Sequence, residues 1–93
     1  MSNLNVPIEL AAEGREGRTN VVKFRGNNEQ TAIYEIWRRH GDSGEWALHE
    51  TISSESFDDA EVKPGQYYEY KVRAVSGEQT SEFSESAVTY GRE

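Results

Sequence analysis

The chain has 93 residues, no cysteine and a formal net charge of −7. Without cysteine it forms no disulfide bond and has no thiolate for catalysis or metal binding. The acidic charge disfavours binding to nucleic acids and anionic membranes, because phosphate contacts need a basic surface. The length suits one domain, which we assign to residues 1–93. No apolar stretch follows Met1 as a signal peptide would, and none could span a bilayer.

Apolar and polar residues alternate with a period of two in short runs separated by turn residues, which predicts strands and no helix. The predicted strands are residues 6–12, 20–25, 32–39, 46–52, 57–62, 67–75 and 83–90. Seven short strands at regular spacing predict an all-β, antiparallel β-sandwich. The side chains expected to meet in its core are those of Phe24, Tyr34, Ile36, Tyr68, Tyr70, Val72 and Val88.

Polar turns separate these runs. The residues His40–Gly44 are predicted to form a turn. The loops Gly26–Gln30, Ser53–Ser56 and Ser76–Thr80 carry no aromatic or aliphatic anchor, so they make a poor binding hot spot. In the fourth strand, Trp46, Leu48 and Ile52 are predicted to share one face.

The two histidines give no sign of catalysis. His40 lies in a polar turn and His49 alternates out of phase with Leu48, so we interpret both as surface residues. Members of a Ser-His-Asp triad need not be adjacent in sequence, so that alternative stays open. No nucleophile elbow or zinc-protease motif is present, and we expect neither enzymatic activity nor a cofactor.

An acidic patch offers hard oxygen ligands of the kind that Ca²⁺ accepts. Asp58, Asp59 and Glu61 lack the spacing and the glycine of an EF-hand loop. We therefore interpret the patch as a solvated acidic loop and expect no metal site.

The segment Val62–Val75 reads Val-Lys-Pro-Gly-Gln-Tyr-Tyr-Glu-Tyr-Lys-Val-Arg-Ala-Val. It resembles the fibronectin type III pattern of a hydrophobic residue, Pro-Gly, and then Tyr-x-aromatic-x-Val-x-Ala. Tyr34–Arg39 is similar to the third strand of that family, Gly44–Trp46 to the start of the next strand, and Ser81–Tyr90 to the last. The family usually has a tryptophan where Phe24 stands, which leaves related immunoglobulin-like sandwiches as an alternative.

The resemblance implies a structural role for Tyr68. It would be the tyrosine-corner residue, whose ring packs under the turn and whose hydroxyl hydrogen-bonds to upstream backbone.

Exposed aromatic side chains are the sharpest candidates for partner contact. Trp37 is predicted on the outer sheet face together with Arg39 and Arg73, and Tyr67 is out of phase with Tyr68. Such a platform would stack on a sugar ring or anchor a protein. The competing interpretation, which we favour for Trp37, is that Arg73 or Lys71 lies across its ring.

The resemblance also implies a non-catalytic structural or interaction module at an extracellular or virion surface. If Met1 is a true start, the domain stands alone and fits a bacteriophage decoration or tail accessory protein. As part of a longer chain it fits a spacer domain of a bacterial surface or secreted protein. We expect a protein partner, with a carbohydrate as the alternative, and a monomer in isolation.

Overall fold

The computed structural model describes residues 4–28, 32–41 and 44–93. Within these ranges the backbone forms eight strands and no helix, so no helix could cross a membrane. The strands are β1 (Ile8–Arg15), β2 (Thr19–Arg25), β3 (Ile33–His40), β4 (Ala47–Ile52), β5 (Ser56–Ala60), β6 (Tyr67–Ser76), β7 (Gln79–Thr80) and β8 (Ala87–Tyr90). Parts of two predicted turns, Gly26–Gln30 and His40–Gly44, lie outside the described residues, as does Met1.

The strands form two sheets, and every strand ladder is antiparallel. The smaller sheet has the order β1-β2-β5. The larger has the order β4-β3-β6, with β7 and β8 both paired to the far side of β6. This confirms the predicted antiparallel sandwich. The structure has one strand more than the seven predicted. The additional strand is β7, in which Gln79 and Thr80 pair with the end of β6.

The core lies between the sheets and is rich in aromatic rings. The rings of Phe24 and Tyr34 meet edge to face with their centroids 5.1 Å apart. Each large side chain that leaves water here contributes about 1.5–3 kcal/mol. The predicted core residues that the structure confirms as buried are Phe24, Tyr34, Ile36, Tyr68, Tyr70 and Val72.

The prediction that Val88 lies in the core was wrong. Val88 pairs with Glu69, an odd-numbered position of β6, whereas the core side chains of β6 are even-numbered. Because successive side chains of a strand point to opposite faces, Val88 faces outward, and it is 47% exposed. The strand also begins at Ala87 and not at position 83.

The prediction that Leu48 and Ile52 share one face was also wrong. The pairing of β4 with β3 shifts by one residue, which leaves His49 as the extra residue of a bulge. A one-residue shift reverses the faces of all later side chains. Ile52 therefore packs against the core, whereas Leu48 lies opposite Trp37 and is 47% exposed.

Tyr68 ties the larger sheet to the chain that precedes it. Its buried hydroxyl accepts a hydrogen bond of 2.8 Å from the backbone amide of Lys63. Between the two residues the chain turns at Pro64-Gly65, where Gly65 has a φ of 80° that glycine adopts without strain. The amide of Gly65 bonds in turn to the carbonyl of Gly91, 2.9 Å away, so this contact also fixes the end of the chain.

Tyr68→Phe removes this acceptor and leaves the amide of Lys63 without its partner. We expect the free energy of unfolding to fall by about 1 kcal/mol, the usual contribution of one buried hydrogen bond. Urea denaturation measures it. Tyr90→Phe is the matched control, because Tyr90 is 58% exposed and should tolerate the same change. Equal stabilities of the two variants would contradict the assigned role.

Candidate functional site on the outer face of the larger sheet

Odd-numbered side chains of β3 and β6 project from the sheet on the side away from the core. They place cations beside aromatic rings, because the register sets Trp37 opposite Lys71 and Glu35 opposite Arg73. Trp46, just before β4, and Phe83, in the segment between β7 and β8, complete the arrangement. We define the outer-face ladder as Arg39, Trp46, Lys71, Phe83, Arg73 and Trp37.

Cations and rings alternate along the outer-face ladder. The guanidinium carbon of Arg39 lies 4.8 Å from the ring centroid of Trp46, and Lys71 Nζ lies 4.4 Å from it. Lys71 Nζ is also 4.0 Å from the ring of Phe83. These separations are within the range of about 6 Å over which a ring face attracts a cation.

Arg73 continues the ladder to Trp37. Its guanidinium carbon lies 4.8 Å from the Phe83 centroid and 5.5 Å from that of Trp37. The rings of Trp37 and Phe83 also meet edge to face at 5.6 Å. The ring of Trp37 is therefore covered by a cation from the neighbouring strand and by a second ring.

Two glutamate carboxylates hold the two arginines of the ladder in place. Glu35 Oε1 accepts hydrogen bonds from Arg73 Nε at 2.7 Å and from Trp37 Nε1 at 3.0 Å. Burial alone would raise the pKa of Glu35, but the bonds from Trp37 and Arg73 outweigh it and hold that pKa below its usual value. Glu69 Oε1 accepts a bond of 2.7 Å from Arg39 Nε.

Lys71 is the most crowded cation of the ladder. Burial, and then repulsion by Arg39 and Arg73, lower the pKa of its ammonium group. The faces of Trp46 and Phe83 oppose this effect by attracting the charge. Arg39 and Arg73 are each paired with a glutamate, so Lys71 is the cation of the ladder whose charge is balanced chiefly by aromatic rings.

The structure brings Trp37, Arg39 and Arg73 together, as three members of one ladder. Tyr67 lies at the start of β6, where its ring meets that of Tyr90 edge to face at 5.5 Å. Tyr68 faces the core and takes no part in the outer face.

Sequence reasoning missed two residues of the ladder, Trp46 and Phe83. The sequence pattern groups Trp46 with Leu48 and Ile52 on one strand face, and it assigns residues 83–86 to the last strand. Two serines hold this segment onto β6 instead. The hydroxyl of Ser81 accepts a bond of 2.8 Å from the Ala74 amide, and that of Ser84 accepts one of 3.1 Å from the Val72 amide. The Ser-x-x-Ser spacing around Phe83 is the signal that could have indicated it.

Exposed apolar side chains flank the ladder on both edges of the sheet. Tyr90 is 58% exposed, and Val88 and Leu48 are each 47% exposed. Val88 and Tyr90 stand on β8, opposite Glu69 and Tyr67, whereas Leu48 stands on β4.

A second polar cluster lies inside the sandwich and contradicts two interpretations of the sequence. Asp59 is not part of a solvated loop: it is 2% exposed, and its carboxylate accepts bonds of 2.8 Å from Arg38 and 2.6 Å from the Tyr70 hydroxyl. His49 is not a simple surface residue, since its Nε2 lies 2.9 Å from Asp59 Oδ1. Asn20 Nδ2 donates a bond of 2.9 Å to the Tyr70 hydroxyl.

This cluster joins the two sheets, because Asn20 and Asp59 belong to the smaller sheet and Arg38, His49 and Tyr70 to the larger. Burial alone would raise the pKa of Asp59, but hydrogen bonds from His49, Tyr70 and Arg38 hold it below its usual value.

Burial and the neighbouring carboxylate also raise the pKa of Tyr70, which keeps its hydroxyl protonated as a donor. Every polar group of Asp59 thus has a partner, and the cluster acts as a structural tie. The described residues include no group of three histidine or acidic side chains that could hold a metal ion.

Comparison with known proteins agrees with this architecture. No family model matches the sequence. No curated protein matches it. Solved structures do match: a Fn3-like protein from Clostridium thermocellum is 24% identical with a TM-score of 0.82, and the match covers 99% of this chain and 97% of that chain.

Two further matches come from human fibronectin type III domain containing protein 3 and from titin. The sixth fibronectin type III domain of the former is 17% identical with a TM-score of 0.79, over 99% of this chain and 89% of that chain. A structure of titin kinase and its flanking domains is 10% identical with a TM-score of 0.81, over 98% of this chain but 18% of that chain. The chain therefore has the fibronectin type III fold.

Asp59→Asn should destabilise the protein at neutral pH by about 3 kcal/mol, because it removes the charge that compensates Arg38. The folded-state pKa of Asp59 is lowered, so the stabilisation is present above the unfolded pKa of about 3.9 and is lost as the pH falls through the folded-state value. The two proteins should therefore approach each other in stability as the solution is acidified.

Chemical denaturation between neutral pH and strongly acidic pH measures this difference. Asp58→Asn is the control, since Asp58 is the exposed neighbour on the same strand and loses the same charge. A stability difference between wild type and Asp59→Asn that stays constant with pH would rule out the ionic tie.

Proposed function

We propose that this chain is a non-catalytic interaction module that binds a protein partner through the outer face of its larger sheet. The observation that carries the proposal is the exposure of Tyr90, Val88 and Leu48 beside the outer-face ladder. Tryptophan, tyrosine and arginine are the side chains that contribute most to protein interfaces, and exposed apolar groups rimmed by charge mark binding surfaces.

The ladder is already ordered without a partner, which supports the same proposal. Glu35 fixes Arg73, Glu69 fixes Arg39, and the rings between them fix Lys71. Immobilising a long side chain on binding costs about 0.5–1.5 kcal/mol, so a face whose arginines are already held avoids part of that cost.

A carbohydrate is the alternative ligand, and the ladder argues against it. Stacking on a sugar ring requires an open aromatic face, but Arg73 lies over Trp37 and both Arg39 and Lys71 lie over Trp46. We expect polysaccharide titration to leave tryptophan fluorescence unchanged. Saturable quenching that Trp37→Ala abolishes would favour the carbohydrate instead.

The setting that we propose for the module is an external surface. It would serve as a decoration or tail accessory protein of a bacteriophage virion, or as a spacer domain of a bacterial surface or secreted protein. A sandwich that needs neither a disulfide nor a cofactor to hold its shape suits such a role, and a net charge of −7 disfavours self-association. Co-purification with intact particles, and its loss on disassembly, tests the virion setting.

Site-specific photocrosslinking in the native host tests the binding face. A photoreactive residue in place of Val88 should yield a discrete adduct with one partner, because the side chain is exposed on the proposed face. The same residue in place of Asp58, which is exposed on the smaller sheet, is the control. Identical adducts from both positions would contradict the proposal.

The partner so identified is then purified and titrated with Val88→Asp and Tyr90→Asp. Each variant should weaken binding about tenfold or more, as expected for a charge forced into an apolar contact. Both positions are exposed, so the melting temperature should stay unchanged. Unchanged affinity in both variants would exclude the outer face as the interface.

A further inference from the structure

A groove lies between the first half of β1 and the segment that precedes β8, next to Phe83 of the outer-face ladder. Residues 6–10 form one wall and residues 83–86 the other, and the volume between them is about 330 Å³. This volume falls at the lower end of the range of about 300–1,000 Å³ that is usual for ligand sites.

The groove exists because the edges of the two sheets separate along their length. At one end they touch: the amide of Gly14 on β1 donates a bond of 3.0 Å to the Thr89 hydroxyl, and a side chain at position 14 would collide with the Tyr90 carbonyl. At the other end Ser84 is drawn onto β6, where its amide bonds to the Val72 carbonyl at 2.8 Å. The segment therefore turns away from β1 and opens the gap.

The wall formed by β1 is an unpaired sheet edge, because among the described strands β1 pairs only with β2. A regular edge would accept any strand, but this edge is interrupted. Pro7 has no amide hydrogen, and the register shifts by one residue after Ile8, where Glu9 has a φ of 58°. Such interruptions prevent a long ladder, so selection in the groove depends on side chains.

Those side chains combine an apolar interior with an acidic rim. Ile8 is 40% exposed and lines one wall, and Phe83 lines the other. One exposed carboxylate stands on each wall, Glu9 on β1 and Glu85 on the segment. Glu9 forms an ion pair of 3.8 Å with Arg25, and both side chains are exposed.

We propose that the groove binds an extended, basic peptide segment of a partner protein. An apolar side chain of the peptide enters between Ile8 and Phe83, and its lysine or arginine neighbours reach Glu9 and Glu85. Charge complementarity carries this assignment, since both walls and the protein as a whole are acidic. The groove shares Phe83 with the outer-face ladder. It does not include Val88, Tyr90 or Leu48, whose exposure carries the proposed interface, so the failure of either proposal leaves the other standing.

The test uses a short peptide of alternating lysine and leucine, capped by prolines to prevent its own aggregation. Two-dimensional amide NMR of the full chain should show saturable shifts in residues 6–10 and 83–86 and none on β4 or β5, which lie at the opposite edges of the two sheets. A peptide with glutamate for lysine should not bind, and one with alanine for leucine should bind more weakly.

Charge reversal on both walls gives the matched comparison. The double variant Glu9→Lys and Glu85→Lys should weaken binding about tenfold, the combined effect expected of two surface charge contacts. The control double variant, Glu13→Lys and Glu82→Lys, changes the net charge equally at exposed positions outside the groove and should keep wild-type affinity.

Equal loss of peptide affinity in the two double variants would show that the effect comes from net charge alone, which would overturn the proposed site. Shifts confined to residues outside the groove would overturn it as well. Groove shifts that grow with protein concentration before any peptide is added would assign the groove to a second copy of this chain, which also contradicts the proposal.

Discussion

The register of β3 against β6 is the constraint on which the rest of the molecule depends. It sets Ile36 opposite Val72 on the core side and Trp37 opposite Lys71 on the outer side. Since side chains alternate strictly, a slip by one residue would bury the cations and expose the aromatic core. The hydrophobic side chains of one face and the cation–ring contacts of the other therefore favour the same pairing, and this agreement specifies one register.

The tie at Asp59 explains how a chain with only 34% hydrophobic residues holds two sheets together. Arg38 and Tyr70 reach the carboxylate from the larger sheet, and Asn20 reaches Tyr70 from the smaller. A buried charge is costly unless it is paired and hydrogen-bonded, and here every oxygen of Asp59 has a donor. The orientation of the sheets is thus fixed by directional contacts in addition to apolar packing.

The two proposed binding surfaces follow from the same segment. Ser81 and Ser84 replace backbone partners of β6 with their hydroxyl groups, which fixes Phe83 within the outer-face ladder. The same displacement separates the segment from β1 and creates the acidic groove. One local departure from regular strand pairing consequently shapes both a face of alternating cations and aromatic rings and an acidic cleft.

The amino-acid sequence by itself determined the strands, the Pro-Gly turn, most of the core and the fold, because these follow from alternation and turn chemistry within short segments such as 67–75. Only the tertiary structure decided the outward face of Val88, the bulge at His49, the burial of Asp59 and the place of Phe83. Each of these features depends on the partner strand. The sequence of a short strand does not decide which of its two faces is buried, because that depends on the register of pairing. Asp59 likewise lies in a run of acidic residues, which predicts exposure to solvent. Its burial becomes understandable only in the folded protein, where Arg38 of the other sheet pairs with it.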